Sequence, residues 1–305
     1  MQPQTRAESP PKFRAGVLNI DKGAGATSFA VVRQLRRLTG AHRVGHAGTL
    51  DPLATGVLPI LFESATRLAE FALQLQKTYV ADIHLGFTTA TDDAEGDRVP
   101  AGDATALSAR DVEAALTAFT GRFQQEPPAF SAVKVDGERA YKLARQGEAP
   151  KLRAREVEVY SARLIEFTSG IEPVARVEVT CGSGTYLRSI ARDLGRSLGV
   201  GGYLGGLVRT AYGPLAIASA VKLEDLSDAA EVEGRLLPAE VILPDMQRVK
   251  LTPEQEAMVR QGRSVRVLPE PQPGRLRAHD SVGRLVALGH TDPLRRTFVP
   301  EKVLT

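Results

Sequence analysis

Two stretches of this chain alternate apolar and polar residues with a period of two. In residues 79–85, Tyr79, Ala81, Ile83 and Leu85 lie on one face, with Val80, Asp82 and His84 on the other. Ala175, Val177, Val179 and Cys181 alternate in the same way with Arg176, Glu178 and Thr180. That period makes each stretch a half-buried strand whose apolar face must be covered. Patterns of helical period fall irregularly between them. Thr27 or Ser28 is placed to cap a helix carrying Val31, Leu35 and Leu38, with Gly40 just past its end. A second helix starts near Ser64 and carries Leu68, Phe71 and Leu75. Ser108 and Asp111 form a capping box ahead of Val112, Ala115, Leu116 and Phe119, and Gly121 closes that helix. Gly182-Ser183-Gly184 turns into a helix with Leu187, Ile190 and Leu194 inward. No strict strand–helix–strand rhythm emerges, so the pattern favours an α+β fold over a doubly wound parallel one.

The pattern changes after Pro244. One helix over 253–261, stopped by Gly262, precedes short strands at 264–268, 275–279, 284–289 and 297–303. Ser281-Val282-Gly283 reads as a hairpin turn. We therefore expect a domain over 15–245 and a small, mostly β module over 246–305. Within the first, 126–155 holds Pro127, Pro128, Pro150 and many charges. It reads as an excursion from the core with a short helix near 139–146, mobile alone and folding over a ligand. Residues 1–14 are polar, contain Pro3, Pro10 and Pro11, and lack the apolar core of a signal peptide; they read as a disordered tail.

Several function classes drop out. The one cysteine, Cys181, permits neither an internal disulfide nor a cysteine-based zinc site, which fits a reducing cytoplasm. No apolar run of about 18 residues is present, so no membrane helix is expected. His42 and His46 have the spacing of helical zinc ligands, but Gly45, Gly48 and Pro52 argue against a helix there. His84, His279 and His290 have no companions in sequence and read as surface or packing residues. Asp92, Asp93, Glu95 and Asp97 lack the order of a calcium loop, so 88–97 reads as a solvated loop. Net charge is +3, but residues 246–305 alone carry eleven Lys/Arg against six Asp/Glu, a local excess of +5. A basic end on a near-neutral body points to a polyanionic partner.

Asp51 is the remaining singular residue. It sits in Gly45-His46-Ala47-Gly48-Thr49-Leu50-Asp51-Pro52-Leu53-Ala54-Thr55-Gly56-Val57-Leu58. No acid occurs between Lys22 and Asp51, whereas Arg33, Arg36, Arg37 and Arg43 do. Cationic neighbours keep such a carboxylate ionised. That suits a nucleophile, or a carboxylate working against an anionic polymer that the arginines hold.

Residues 45–58 resemble the signature G-H-x-G-x-L-D-P-x-A-x-G-x-L of the TruB family of bacterial tRNA pseudouridine-55 synthases. Further blocks follow in the same order. They are residues 16–28, Lys77-Thr78-Tyr79, the P-P-x-[YF]-S-A-x-K segment from Pro127 to Arg145, Gly182 to Arg188, and Leu207 to Gly213. The likeness covers about 16–243; the tail resembles, more weakly, the small RNA-binding PUA barrel. Gly23 and Phe130 depart from the family's usual Pro and Tyr.

The resemblance implies a mixed, largely antiparallel sheet flanked by helices, and a reaction that needs neither cofactor nor metal. A uridine of the tRNA T-arm, U55, is flipped out, detached at N1 and rejoined through C5. Asp51 is the implied nucleophile, Arg188 the cation that holds it, and Tyr79 the stacking ring whose hydroxyl can relay the C5 proton. Tyr186 and Leu207 would line the pocket, and His46 would fill the gap left by the base. Arg43, with Arg33, Arg36 and Arg37, and Lys134 and Arg139 in the excursion, would meet phosphates. Three roles stay open for Asp51: addition to the base, attack at C1′, or help in deprotonation. A monomer is expected. The other readings are a tRNA folding chaperone, which need not exclude the enzyme, a guide-dependent synthase of the dyskerin type, and a metal hydrolase built on His42, His46 and Asp51.

Overall fold

The computed structural model describes residues 13–131, 133–135, 137–146, 152–268, 272–292, 294 and 296–304. The expected tail thus lies almost wholly outside the described residues, as does part of the 126–155 excursion. Among the described residues, a ten-stranded sheet forms the body. Its main path runs Val221–Lys222, Gly16–Lys22, Thr55–Phe62, Gly202–Tyr212, Lys77–Leu85, Val174–Cys181, Arg155–Thr168, Gly121–Gln125. Two neighbouring pairs on that path are parallel, Gly16–Lys22 with Val221–Lys222 and Gly202–Tyr212 with Thr55–Phe62; the others are antiparallel. The sheet is therefore mixed and largely antiparallel, as expected.

Both alternating stretches are strands, and their apolar faces are buried in one core. The Ser28–Thr39 helix covers that core with Val31, Val32 and Leu35. Thr27 caps it by accepting the Ala30 amide, and Gly40 closes it at φ 66°. The Ser108–Asp111 capping box is complete; such caps contribute about 1 kcal/mol each.

The glycine-punctuated stretch after Gly201 is an eleven-residue strand, Gly202–Tyr212. Gly202 serves close approach to the helix before it, since a Cβ there would lie 2.7 Å from the Ala191 carbonyl oxygen. A Cβ on Gly195, in the Leu187–Ser197 helix, would lie 2.2 Å from the Gly202 nitrogen, so helix and strand touch backbone to backbone. The same holds where Thr55–Phe62 meets this strand. Gly56 has φ +97°, and a Cβ there would lie 2.3 Å from the Arg209 carbonyl oxygen. Gly56→Ala should therefore cost on the order of 3 kcal/mol or more, read as a lower urea midpoint. A midpoint within error of wild type would contradict this packing.

A second sheet of five strands holds Gln247–Lys250, Arg275–His279, Leu285–Asp292, Thr297–Val303 and Val265–Arg266 in that order, and curls into a half-barrel. The Gln247–Lys250 strand was not legible in the sequence. Val249, Val259, Leu276, Val286 and Phe298 form its core. Leu288 and Leu304 also pack with Ile242 and Leu243 in a cluster shared with Leu61 and Leu68 of the body. His279, fully buried, meets the Glu240 carboxylate at 2.8 Å, and His290 meets Glu301 at 2.9 Å. His279 is thus a packing residue and the partly exposed His290 a surface one, as expected, each with a carboxylate partner.

Candidate active site

The loop 47–54 is fixed from three sides, which makes the position of Asp51 a consequence of the fold. Ser28, at the start of its helix, accepts the Leu50 amide at 2.9 Å and donates to the Leu50 carbonyl at 3.1 Å. The buried ammonium of Lys22 reaches the carbonyls of Gly23, Ala26 and Pro52. Arg209 spans the loop, its Nε donating to the Val57 carbonyl at 2.7 Å and its Nη2 to the Gly48 carbonyl at 3.1 Å. Ala47, Leu50 and Ala54 are buried, while the Asp51 side chain stays 39% exposed. The apolar residues anchor the loop and leave the carboxylate facing outward.

Arg188 meets it. Its Nη2 lies 3.0 Å from Asp51 Oδ2, and its Nη1 lies 3.4 Å from Asp93 Oδ2 and 3.3 Å from the Thr91 carbonyl. The Arg188 side chain is only 7% exposed. A guanidinium buried to that degree needs paired carboxylates, because an uncompensated buried charge costs several kcal/mol. Asp93, itself buried, supplies the second one. It is held by the Thr91 hydroxyl at 2.6 Å and the Glu95 amide at 3.0 Å. Beside it, Arg192 pairs with Asp92 at 3.0 Å. Asp92 and Asp93 are thus built into the site, and the solvated-loop reading of 88–97 is wrong for both. The acidic cluster had resembled an exposed turn because its arginines lie far along the chain.

A cleft of about 460 Å³ opens over this pair. Asp51, Tyr79, Tyr186, Arg188 and Leu207 all line it, so five of the expected residues converge. Tyr79 is buried, and burial pushes its phenol pKa up, so the hydroxyl is neutral. Its ring centroid lies 6.0 Å from the Arg209 guanidinium. Lys77 also lines the cleft. Its Nζ donates to the Leu73 carbonyl at 2.6 Å, and burial brings its pKa down to about 8. Arg209, Lys22, Lys77 and Asp93 were not singled out from the sequence. Lys22, Lys77 and Arg209 do lie in the matched blocks, but their burial does not show there.

The remaining expected residues lie elsewhere or beyond description. His46 is not in the cleft lining. It pairs across to Ile60 in the short strand Val44–His46, and its Nδ1 is buried without a partner among the described residues. Burial, then the charge of Arg209, lowers its pKa, so the ring is neutral at pH 7. Arg43 is exposed, and its carbonyl accepts the Glu63 amide. Lys134 and Arg139 face each other in a two-stranded hairpin, Lys134–Val135 with Glu138–Arg139; their side chains lie outside the described residues. The short Ala140–Arg145 helix follows, where one was expected. Among the described residues, no group of three or more His, Cys, Asp or Glu converges as metal ligands would. No helix there is long and apolar enough to cross a membrane.

The family model for the N-terminal domain of TruB pseudouridylate synthases matches residues 36–187, and that for the tRNA pseudouridylate synthase B C-terminal domain matches 188–244. A tRNA pseudouridine synthase B of Synechococcus sp. is 45% identical over 279 residues, covering 90% of this chain and 93% of the relative. The chain belongs to the TruB family of pseudouridylate synthases. A second relative of that name, from Dehalococcoides mccartyi, is 42% identical over 277 residues and covers 90% of this chain and 91% of its own length. Among solved structures, a Cbf5-Nop10-Gar1 complex contains a similar chain, with TM-score 0.71 and 27% identity over 95% of this chain and 85% of that one. As a TruB-family member this protein is an isomerase; Asp51 lies inside the first family match and Arg188 is the first residue of the second.

Proposed function

We propose that this pseudouridylate synthase acts on tRNA and converts uridine 55 of the T-arm loop. The curated relatives carry tRNA in their name, and the 45–58 signature supports the position. The observation that carries the chemistry is the Asp51–Arg188 pair at the wall of an open cleft beside Tyr79. Flipping delivers the base to Asp51 at a cost of a few kcal/mol, which phosphate contacts offset. The N1–C1′ bond then breaks with its electron pair leaving on the base, the base turns, C5 bonds to C1′, and the proton lost from C5 is matched by one taken up at N1. Asp51, oriented by Arg188, acts as the nucleophile, and the bond it forms breaks again before product leaves, while Tyr79, Tyr186 and Leu207 hold the base. Residues 15–245 form the catalytic domain, and 246–305 a PUA-like module whose excess of positive charge adds RNA affinity. The protein works as a cytoplasmic monomer. His46 fills the place of the flipped base only after moving out of its present seat.

The direct test incubates the full chain with an unmodified tRNA transcript and maps pseudouridine by mass spectrometry. Product at position 55 is expected; product at another uridine alone would refute the T-arm assignment. A second expectation concerns the 126–155 segment. Amide exchange across 137–146 should slow when RNA binds, because Phe130 and Tyr141 border the cleft that the RNA fills. Equal protection with and without RNA would remove the segment from the interface.

A further inference from the structure

The 126–155 segment contributes Phe130, Ser131 and Tyr141 to the cleft wall. Two backbone bonds tie the two sides of the segment's own hairpin together: the Tyr141 amide donates to the Ser131 carbonyl at 3.0 Å, and the Ala140 amide to the Val133 carbonyl at 2.7 Å. Those bonds leave the Ser131 hydroxyl unused. Ser131 is only 3% exposed, yet its Oγ has no hydrogen-bond partner among the described residues. The two other serines buried as deeply are satisfied. Ser28 Oγ donates to the Leu50 carbonyl, and Ser189 Oγ donates to the Glu126 carbonyl at 2.8 Å. Buried hydroxyls normally find a partner, because losing water without replacing it is costly. The Tyr212 and Thr297 hydroxyls also lack one, but of these three only Ser131 lines the cleft, which suggests a partner that arrives with the substrate.

The chemistry of the wall narrows that partner. The described side chains that this segment places in the cleft are two aromatic rings and one neutral hydroxyl. A phosphate would be matched by cations, and the cations lining the cleft, Lys77, Arg188 and Arg209, come from other segments. Aromatic faces beside a hydroxyl suit a flat base. Its faces stack while its edge hydrogen-bonds. Uracil presents two carbonyl acceptors and one N–H donor along its imide edge, and a serine hydroxyl can serve either kind.

We propose that the Ser131 hydroxyl is the hydrogen-bond partner of the imide edge of the flipped uracil, and so a substrate-recognition residue of this cleft. This rests on the reading that a uridine enters here.

The test uses the full chain and an unmodified tRNA transcript. Ser131→Ala should lower kcat/KM by about tenfold, while the melting temperature of the free protein stays unchanged or rises, since no internal bond is lost. Ser131→Thr, which keeps the hydroxyl, should return activity to within a few-fold. Substrates with sulfur replacing O2 or O4 of the target uridine then locate the contact. One of the two should slow the wild type and cost Ser131→Ala nothing further. Wild-type kcat/KM in Ser131→Ala would overturn the proposal, as would a fall in melting temperature with no recovery in Ser131→Thr. Fully additive losses for both sulfur substrates would overturn the edge assignment. If the wild type itself forms no pseudouridine, the functional reading falls and this proposal with it. If the wild type is active and Ser131→Ala equals it, only this proposal falls.

Discussion

Asp51→Asn should lower pseudouridine formation by roughly 10⁴-fold or more, while tRNA affinity stays within a few-fold of wild type. The expectation follows from where the carboxylate sits. Its loop is held by bonds that do not involve the side chain: Ser28 on Leu50, Lys22 on Pro52, and Arg209 on Gly48 and Val57. An asparagine is almost the same size and keeps a hydrogen bond to Arg188, so the loop should not move. What disappears is the negative charge and its lone-pair reactivity. RNA affinity rests mainly on phosphate contacts spread over the surface, so losing one anion in the cleft should weaken nothing there. Single-turnover assays at saturating enzyme, together with filter binding, separate the two quantities. Retained turnover would end the assignment of Asp51 as nucleophile. A parallel loss of binding and turnover would instead favour a structural role for the loop.

The parts of this site legible in the sequence were those carried by local pattern. Asp51 stood out because no other acid shares its stretch and glycines surround it. Tyr79 stood on a clean alternation, and the Leu187–Ser197 helix announced itself by its spacing. The parts that were not legible depend on neighbours distant in sequence. Asp93 lies 95 positions before Arg188 and looks like any acid in a polar turn until the fold places the two 3.4 Å apart. Arg209 sits on a strand whose glycines hide the period of two, yet it is almost fully buried and braces the loop that carries Asp51. Those glycines read as turn signals in isolation. Gly202 lets the Leu187–Ser197 helix approach the strand's backbone, and Gly205 and Gly206 leave room for the side chains of His84 and Asp82 on the neighbouring Lys77–Leu85 strand. Burial and close contact between distant segments are tertiary facts, and no local propensity encodes them.

Arg188→Lys is expected to lower kcat by about 10²-fold with little change in RNA affinity, although the charge is kept. The guanidinium touches two carboxylates at once, Asp51 through Nη2 and Asp93 through Nη1, and also reaches the Thr91 carbonyl. A lysine ammonium is a single point on a flexible stem and cannot span both acids in that geometry. It will settle nearer one of them. Asp93 is the buried acid, so leaving it unpaired costs more than leaving Asp51, which keeps access to water. The lysine should therefore favour Asp93, and Asp51 should lose its orienting partner. Asp93→Asn acts from the other end. It keeps the shape but removes the charge that anchors Arg188, and a smaller fall in kcat is expected. Combining it with Arg188→Lys decides whether the three groups act as one unit. With Asp93 neutral, the lysine has no buried anion to prefer and is free to serve Asp51, so the double variant should lose less than the product of the two single losses. Strictly multiplicative losses would mean that Arg188 serves Asp51 and Asp93 independently, and that the buried acid only helps the fold.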